Sequence, residues 1–223
     1  MVTLEQLFDL IGSFICHQLP SRTLNAGGTA LPVCARDMGI YAGIFSGMLF
    51  LTLLRRLKAQ KIPGTGISVL MCVLMMPMIL DGMLSYLGVI GTDNATRLFT
   101  GAFFGLPIPF FLVPAARFNA YGANTGTVLK NVAEFTTAYA ITILLCFLLL
   151  KGLVPYTAAA LIFVLGFIFL LSRISYTILF RLGRFGQKTL YTVTGCTTLC
   201  VLTVMYFISA YLLQPIKDVL LGG

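Results

Sequence analysis

Charged residues are scarce in this chain, and acidic residues are the scarcest of them. Only 10% of the 223 residues are charged, with seven Asp and Glu against fifteen Lys and Arg, whereas 58% are hydrophobic. A soluble globular protein carries roughly 25% charged residues, so the composition excludes both a water-soluble protein and a disordered chain. The net charge of +8 lies on an apolar background, and it therefore indicates membrane topology and not nucleic-acid binding.

Motifs of soluble-cofactor enzymes are also missing. The sequence contains no Gly-rich phosphate loop, no dinucleotide fingerprint and no HExxH helix. The six cysteines are spread along the chain and four of them lie inside apolar runs, so the pattern is not a secreted-type disulfide framework. These absences argue against soluble-cofactor enzymology and exclude a disulfide-rich miniprotein.

Long apolar runs fill most of the sequence and predict an all-α integral membrane bundle. A helix needs about 20 mostly apolar residues to span lipid, because lipid cannot hydrogen-bond a bare backbone. The pattern predicts six spans within one polytopic domain, residues 1–223. Prolines interrupt the third, and the fifth has a helical continuation beyond its apolar run. The predicted spans cover residues 38–54, 67–90, 98–115, 132–154, 157–171 and 190–213.

The amino-terminal residues 1–37 precede this bundle, residues 38–223, and are predicted to form a helix followed by a polar loop. Residues 1–17 have apolar side chains at helical spacing, but they include Glu5 and Asp9 and are few for a span. We therefore expect an interfacial or packed helix. The segment lacks the basic start and cleavage site of a signal peptide, so we expect it to remain in the mature protein.

Lys and Arg residues are unevenly divided between the loops that alternate along the chain. Ten of the fifteen fall on one predicted side. Because basic residues are retained in the cytoplasm during insertion, this side is predicted to be cytoplasmic, with both termini and residues 16–37 outside. The ten are Arg55, Arg56, Lys58, Lys61, Arg117, Lys130, Arg173, Arg181, Arg184 and Lys188.

Glycines recur every four residues on two of the predicted spans. Gly39, Gly43 and Gly47 form one stripe, and Gly101 and Gly105 form another. Small residues on one helix face let helix backbones approach closely. We expect a contact within the chain, and the alternative is a homo-oligomer joined through these helices.

The segment before the first predicted span carries most of the polar chemistry. The residues TLNAGGTA can fold back as a loop and bring its two ends together. Two cysteines, the only histidine, two arginines and an aspartate would then lie close to one another. They are Cys16, His17, Arg22, Cys34, Arg36 and Asp37.

Asp81 lies within the second predicted span, near its outer end. An ionisable residue at membrane depth costs about 2.5–3.5 kcal/mol on insertion scales, so it usually pairs with a partner or lines a cavity. Arg36 and Arg97 are predicted on the same side and are the candidate partners. Pro77, four residues earlier, favours a kink that opens a pocket there.

Two short motifs frame the polar segment: CHQLPSR at residues 16–22 and PVCARDMGIYAG at residues 32–43. They resemble the CHQxPxR and PVCxRxxGxYxG signatures of a family of bacterial and archaeal membrane proteins of unknown function. The resemblance extends loosely through Asp81 and Arg97 and leaves the last spans unmatched. It implies a multi-spanning membrane protein and supplies no activity. The motif positions are Cys16, His17, Gln18, Pro20, Arg22, Pro32, Cys34, Arg36, Gly39, Tyr41, Gly43 and Asp81.

One interpretation of the polar residues is a metal site for zinc or another divalent ion. Cys16, His17, Cys34 and one carboxylate, from Asp37 or Asp81, are ligand types that zinc prefers. With one position left to water, such a site activates that water at neutral pH. His17 and Asp81 are then the candidate catalytic groups, with Asp81 as ligand or general base.

Arginines beside that site would hold an anionic or lipid-linked substrate, such as a lipid phosphate. Adjacent Cys16 and His17 reach one ion only if the helix ends before them, which Pro20 favours. The candidate substrate-binding residues are Arg22, Arg36 and Arg97, and Arg36 is also a candidate catalytic residue.

Three other interpretations remain open. In the first, Cys16 and Cys34 form a disulfide that exchanges electrons with a partner thiol or a membrane quinone. In the second, the same disulfide or a metal clip is structural and stabilises the fold by roughly 3 kcal/mol. In the third, Asp81 and the proline-kinked helices belong to a transporter or channel.

Overall fold

The computed structural model describes residues 4–16, 18–183 and 186–213, which form a helical bundle with a β-hairpin at one end. A 3₁₀ turn (Pro20–Arg22) precedes the hairpin, and a π-helical turn (Ser209–Leu213) follows the last helix. The main elements are α1 (Leu4–Ser13), β1 (Thr23–Ala26), β2 (Thr29–Cys34), α2 (Ala35–Leu53), α3 (Thr65–Tyr86), α4 (Asn94–Gly105), α5 (Pro107–Arg117), α6 (Val132–Leu150), α7 (Tyr156–Leu182) and α8 (Gln187–Ile208).

Five stretches of the described chain are long and apolar enough to cross a membrane, which confirms the all-α membrane bundle. They are Thr65–Ser85, Asn94–Arg117, Val132–Leu150, Tyr156–Leu182 and Gln187–Tyr211. Helix α2, the first of the six predicted spans, is helical over 19 residues but is not among these five. Its first turn carries Arg36 and Asp37, and its interior is rich in glycine, so its apolar character is lower.

Helix α2 occupies the centre of the bundle, where it packs most extensively against α4 and then against α7. A Cβ atom at Gly39 would fall on the carbonyl oxygen of Leu98, and one at Gly105 would fall on that of Ile40. Only glycine allows the α2 and α4 backbones to lie this close. The expectation that the glycine stripes meet within the chain is confirmed.

Prolines lie inside the helices without ending them. Helix α3 continues through Pro77 without a break. Leu106 keeps helical backbone angles between α4 and α5, so these two helices form one span although Pro107 begins the second. Helix α7 runs for 27 residues, about 40 Å at 1.5 Å per residue, which confirms the predicted continuation of the fifth span.

Side-chain contacts divide the bundle into two ends. We call the end that holds Cys34 and Asp81 the cysteine end, and the end that holds Arg56 and Arg181 the basic end. Arg56 donates two hydrogen bonds to Glu134, joining the end of α2 to the start of α6. Arg181 donates to the carbonyl oxygen of Ala115, joining the ends of α7 and α5. The 19 residues of α2 separate the two ends by about 28 Å.

The amino-terminal segment forms a packed helix, as predicted. Phe8 of α1 is buried, and its ring lies 6.3 Å from that of Tyr156 at the start of α7. Ser13 Oγ lies 3.0 Å from Ser209 Oγ, beyond the end of α8. Helix α1 therefore lies across the cysteine end, against the ends of α7 and α8.

The predicted polar loop after α1 is in fact a two-stranded antiparallel hairpin, with Asn25 opposite Ala30 and Thr23 opposite Cys34. Alternating apolar side chains, including Leu31 and Val33, are buried beneath it, which is why the segment pairs as strands. Both turn glycines have positive φ, a conformation that other residues rarely adopt. The fold-back predicted from TLNAGGTA is thus confirmed, but through strands and not through a loop.

Candidate metal centre

Cys16, Cys34 and Asp37 meet at the cysteine end. Their sulfur and carboxylate ligand atoms all lie within 4.8 Å of one another. Cys16 follows α1, Cys34 is the last residue of β2, and Asp37 lies in the first turn of α2. The hairpin therefore connects two cysteines that are 18 residues apart in sequence.

Backbone N–H groups surround the sulfur of Cys16. The amide of Gln18 donates to it at 3.4 Å, and the amide of Cys34 donates at 3.2 Å. Cys16 is 7% exposed, so these bonds replace water around the sulfur. Hydrogen bonds to the charged form of a group favour that form. The site is therefore built to hold Cys16 as a thiolate.

The two thiols differ in their acidity. The pKa of Cys16 is lowered, chiefly because the Cys34 side chain donates to its sulfur, with the backbone amides opposing the effect of burial. The pKa of Cys34 is raised, chiefly because its thiol proton is held by that bond, and burial and the Asp37 charge add to this. Cys16 is thus the first of the pair to ionise.

Asp37 supplies the third ligand atom. Cys34 Sγ lies 3.1 Å from Asp37 Oδ2, so the Asp37 carboxylate is the alternative acceptor for the one Cys34 thiol proton. Cys34 is the N-cap residue of α2, and Asp37 lies three residues further on. A carboxylate in the first turn of a helix interacts favourably with the helix dipole.

Gln18 fixes the position of the site, a role that the sequence analysis missed. Its Nε2 donates to the carbonyl oxygens of Asp9 at 2.8 Å and Pro32 at 2.9 Å, which ties α1 to β2. Gln18 has a φ of 54°, the left-handed region that non-glycine residues rarely occupy. In the sequence, this role of Gln18 is indicated only by its position directly after Cys16 and His17.

Asp81 forms an ion pair with Arg36 and does not join the two cysteines. Arg36 donates to Asp81 Oδ2 from Nη2 and, at 3.2 Å, from Nε. The aspartate side chain is 5% exposed, and its buried Oδ1 has no hydrogen-bond partner in the part of the chain that the structure describes. Of the two carboxylates considered from sequence, Asp37 is therefore the one beside the cysteines. Asp81, on α3, is hydrogen-bonded to Arg36, and its carboxylate is not among the ligand atoms grouped with the two sulfurs.

Arg97, the other candidate partner of Asp81, makes neutral contacts instead. Its Nε donates to Thr92 Oγ1 at 3.0 Å, and it is 7% exposed. The charges of Arg22, Arg36 and Asp81 all act on it. The three arginines and Asp81 thus lie close enough for their charges to interact.

A cavity of about 180 Å³ opens beside the cysteines. Arg22 and Arg36 line it together with the three grouped residues, whereas His17 lies outside the described residues. A metal ion held by the cysteines and Asp37 would face this cavity. The lining residues are Ile15, Cys16, Gln18, Leu19, Arg22, Cys34, Arg36 and Asp37.

These features define a multi-pass membrane protein with a partly buried Cys–Asp group and an arginine-lined cavity at one end of its bundle. The chain belongs to the DUF2085 family of predicted membrane proteins, whose model matches residues 16–111. The matched region contains the hairpin, α2, α3, α4 and the first half of α5. The whole candidate site thus falls within it.

Two archaeal relatives support this assignment. An uncharacterized protein of Methanocaldococcus jannaschii is 33% identical over 102 residues, which is 46% of this chain and 64% of the relative. An uncharacterized protein of Methanothermobacter thermautotrophicus is 34% identical over 89 residues, which is 40% of this chain and 75% of the relative. The chain thus spans slightly less than two thirds of the first relative. No solved structure matches it.

Proposed function

We propose that this protein binds a divalent metal ion of the zinc type through Cys16, Cys34 and Asp37. The proposal rests on the observation that two sulfurs and a carboxylate oxygen lie within 4.8 Å of one another. Two thiolates and one carboxylate match the ligand preferences of zinc, which is usually four-coordinate. The fourth position would be filled by His17, the sequence neighbour of Cys16, or by water.

The cavity beside the site suggests a metal-assisted enzyme. A zinc ion with three protein ligands and one water lowers the pKa of that water to about 7 and so supplies a nucleophile. Arg22 and Arg36 line the same cavity and would hold an anionic group of the substrate. Because the site lies at the end of a membrane bundle, a lipid-linked anion is the substrate class we propose.

Asp81 takes a positioning role in this proposal. It holds the guanidinium of Arg36 through two hydrogen bonds and thereby fixes the arginine at the cavity wall. Arg97 lies close enough for its charge to interact with those of Arg36 and Asp81, and it adds positive charge to the site. Of the catalytic residues proposed from sequence, Arg36 lines the cavity, and Asp81 acts through it.

Metal content and free thiols, measured together on detergent-purified protein, test the proposal. We expect about one metal ion per wild-type chain, and six free thiols after chelation, because the sequence has six cysteines. Cys34→Ser should lose the metal, whereas Cys200→Ser, an exposed cysteine on α8, should retain it. A wild-type protein without metal would contradict the proposal.

Thiol redox chemistry is the second candidate, and the proximity of the two sulfurs favours it. Disulfide formation would remove two protons and two electrons from Cys16 and Cys34, and a quinone or a partner disulfide would accept them. The same experiment separates the two functions. Four free thiols without metal would support the redox or structural disulfide, and six thiols with metal would support the metal site.

We also propose that the cysteine end faces away from the cytoplasm, as the distribution of basic residues predicts. A membrane-impermeant maleimide applied to intact cells after metal chelation should then reach Cys16 or Cys34. Labelling only after the cells are opened would place the site in the cytoplasm and reverse the proposed topology.

A further inference from the structure

Three arginines lie at the basic end, and two of them contact one buried tyrosine. Arg117 donates to the hydroxyl of Tyr176 at 2.7 Å, and the guanidinium carbon of Arg173 lies 5.1 Å from the tyrosine ring centroid. Arg181 donates to the carbonyl oxygen of Ala115, two residues before Arg117. We call Arg117, Arg173, Arg181 and Tyr176 the Tyr176 cluster. The charges of Arg117 and Arg173 act on each other, so the cluster concentrates positive charge.

Acidic residues do not neutralise the Tyr176 cluster in the described part of the chain. The two described ion pairs are Arg36–Asp81 at the cysteine end and Arg56–Glu134 at the basic end. Glu134 is committed to Arg56 and to the backbone amide of Lys130. The arginines of the cluster instead contact carbonyl oxygens, a phenol and aromatic rings, none of which carries negative charge.

The guanidinium groups retain unused donors. Among the described residues, neither Arg117 Nε nor Arg173 Nε has a hydrogen-bond partner, and both atoms are buried. The ring of Phe180 also packs against Arg117, with its centroid 4.8 Å from the guanidinium carbon. A buried donor without a partner is unfavourable, so an acceptor beside Arg117 would be stabilising.

A groove of about 370 Å³ opens beside Arg117, between the end of α7 and the start of α8. It is polar where Arg117 and Gln187 line it and apolar where the leucines do. Such a surface suits an amphiphile that has an anionic head and a hydrocarbon tail. The lining residues are Arg117, Leu179, Phe180, Gly183, Gln187 and Leu190.

We propose that this groove binds an anionic membrane lipid, with the phosphate on Arg117 and an acyl chain against Leu179 and Leu190. The groove lies where the candidate spans Asn94–Arg117 and Tyr156–Leu182 end and Gln187–Tyr211 begins, the level at which helices leave the hydrocarbon and lipid phosphates are found. Arginine matches phosphate geometry through its fixed fork of donors. This site is independent of the proposed metal centre, which lies at the other end of the bundle.

Native mass spectrometry of delipidated protein in neutral detergent tests the proposal. Short-chain phosphatidylglycerol and phosphatidylcholine are the probes, and inorganic phosphate is the competitor. We expect at least a tenfold preference for phosphatidylglycerol. Arg117→Gln should abolish this preference, and Arg117→Lys should restore part of it. Lys58→Gln removes one exposed positive charge from the same end and should change binding less than twofold.

A second variant tests the groove without changing charge. Leu179→Trp fills the apolar wall and should weaken phosphatidylglycerol binding several-fold, with the thermal midpoint of each variant showing that it is folded. Equal binding by wild type and folded Arg117→Gln would overturn the proposal. Displacement of the lipid by equimolar phosphate, or no effect of a folded Leu179→Trp, would show a free-anion site and overturn the lipid assignment.

Discussion

The two ends of the bundle handle arginine in different ways. At the cysteine end, Arg36 is paired with a buried aspartate, and a second carboxylate stands beside the cysteines. At the basic end, one described carboxylate serves Arg56, and the arginines around Tyr176 contact neutral groups. Arg36 thus has an acidic partner where we propose chemistry, whereas the arginines of the Tyr176 cluster, where we propose contact with an anionic membrane surface, have none among the described residues.

Removal of one carboxylate at each end should give the largest effects and should separate the two ends. Asp81→Asn leaves Arg36, which is 22% exposed, without its buried counter-charge, and breaking a buried pair costs about 3–5 kcal/mol. Glu134→Gln removes a carboxylate that is 21% exposed, against 5% for Asp81, and should cost about 1 kcal/mol. Unfolding in a mild detergent with added denaturant would measure both. Equal losses would contradict the contrast between a buried and a partly exposed carboxylate.

Glycine substitutions should have the next largest effect. Gly105→Ala would place a methyl group on the carbonyl oxygen of Ile40 and push α4 from α2, at a cost of about 1–3 kcal/mol. Gly195→Ala, on α8, meets no atom within 4 Å and should stabilise by up to about 1 kcal/mol through helix propensity. The same unfolding measurement applies. A neutral Gly105→Ala would show that the α2–α4 contact is looser than described.

Gln18 gives a smaller and more local test of the cysteine end. Gln18→Ala removes two hydrogen bonds that tie α1 to β2, each worth about 1 kcal/mol, and should weaken metal retention during dialysis against a chelator. Gln18→Gly loses the same bonds but relieves the positive φ, so it should be the more stable of the two variants. The reverse order of stability would contradict the left-handed backbone at this residue.

The pH dependence of Cys16 alkylation should show the smallest change. In metal-free protein, the lowered pKa of Cys16 gives more thiolate at neutral pH, so the rate midpoint should lie below that of an ordinary thiol. Cys34→Ala removes the principal cause of this shift and should move the midpoint to higher pH. Cys146→Ala, a buried cysteine on α6, should leave it unchanged. A midpoint unaffected by Cys34→Ala would contradict the bond between the two thiols.

Periodicity and composition predict the helices well, α2 included, since the predicted span 38–54 overlaps Ala35–Leu53. Apolar runs locate the five candidate spans, because a lipid-facing helix must be apolar along its length. Helix α2 is surrounded by other helices and can carry glycines and two charges at its start. Its environment depends on tertiary packing, which hydropathy does not report. The hairpin was missed because β2 does not alternate apolar and polar residues and contains Pro32, which argues against a strand.

The sequence predicts which residues lie at the candidate site better than it predicts which of them contact one another. The grouping of Cys16, Cys34 and a carboxylate followed from their short separation across a fold-back. The choice between Asp37 and Asp81 depends on which carboxylate Arg36 reaches, and this is a distance in three dimensions. The contact of Gln18 with Pro32 likewise depends on how α1 ends, since the carbonyl oxygen lies 14 residues away in sequence.

X-ray absorption spectroscopy of the zinc-loaded protein tests the central claim most directly. We predict two sulfur atoms bonded to zinc at about 2.3 Å and lighter oxygen or nitrogen ligands at about 2.0–2.2 Å. Asp37→Asn should retain the two sulfurs and alter the lighter ligands, and Cys34→Ser should reduce the sulfur count to one. A spectrum without sulfur in wild-type protein would contradict the account.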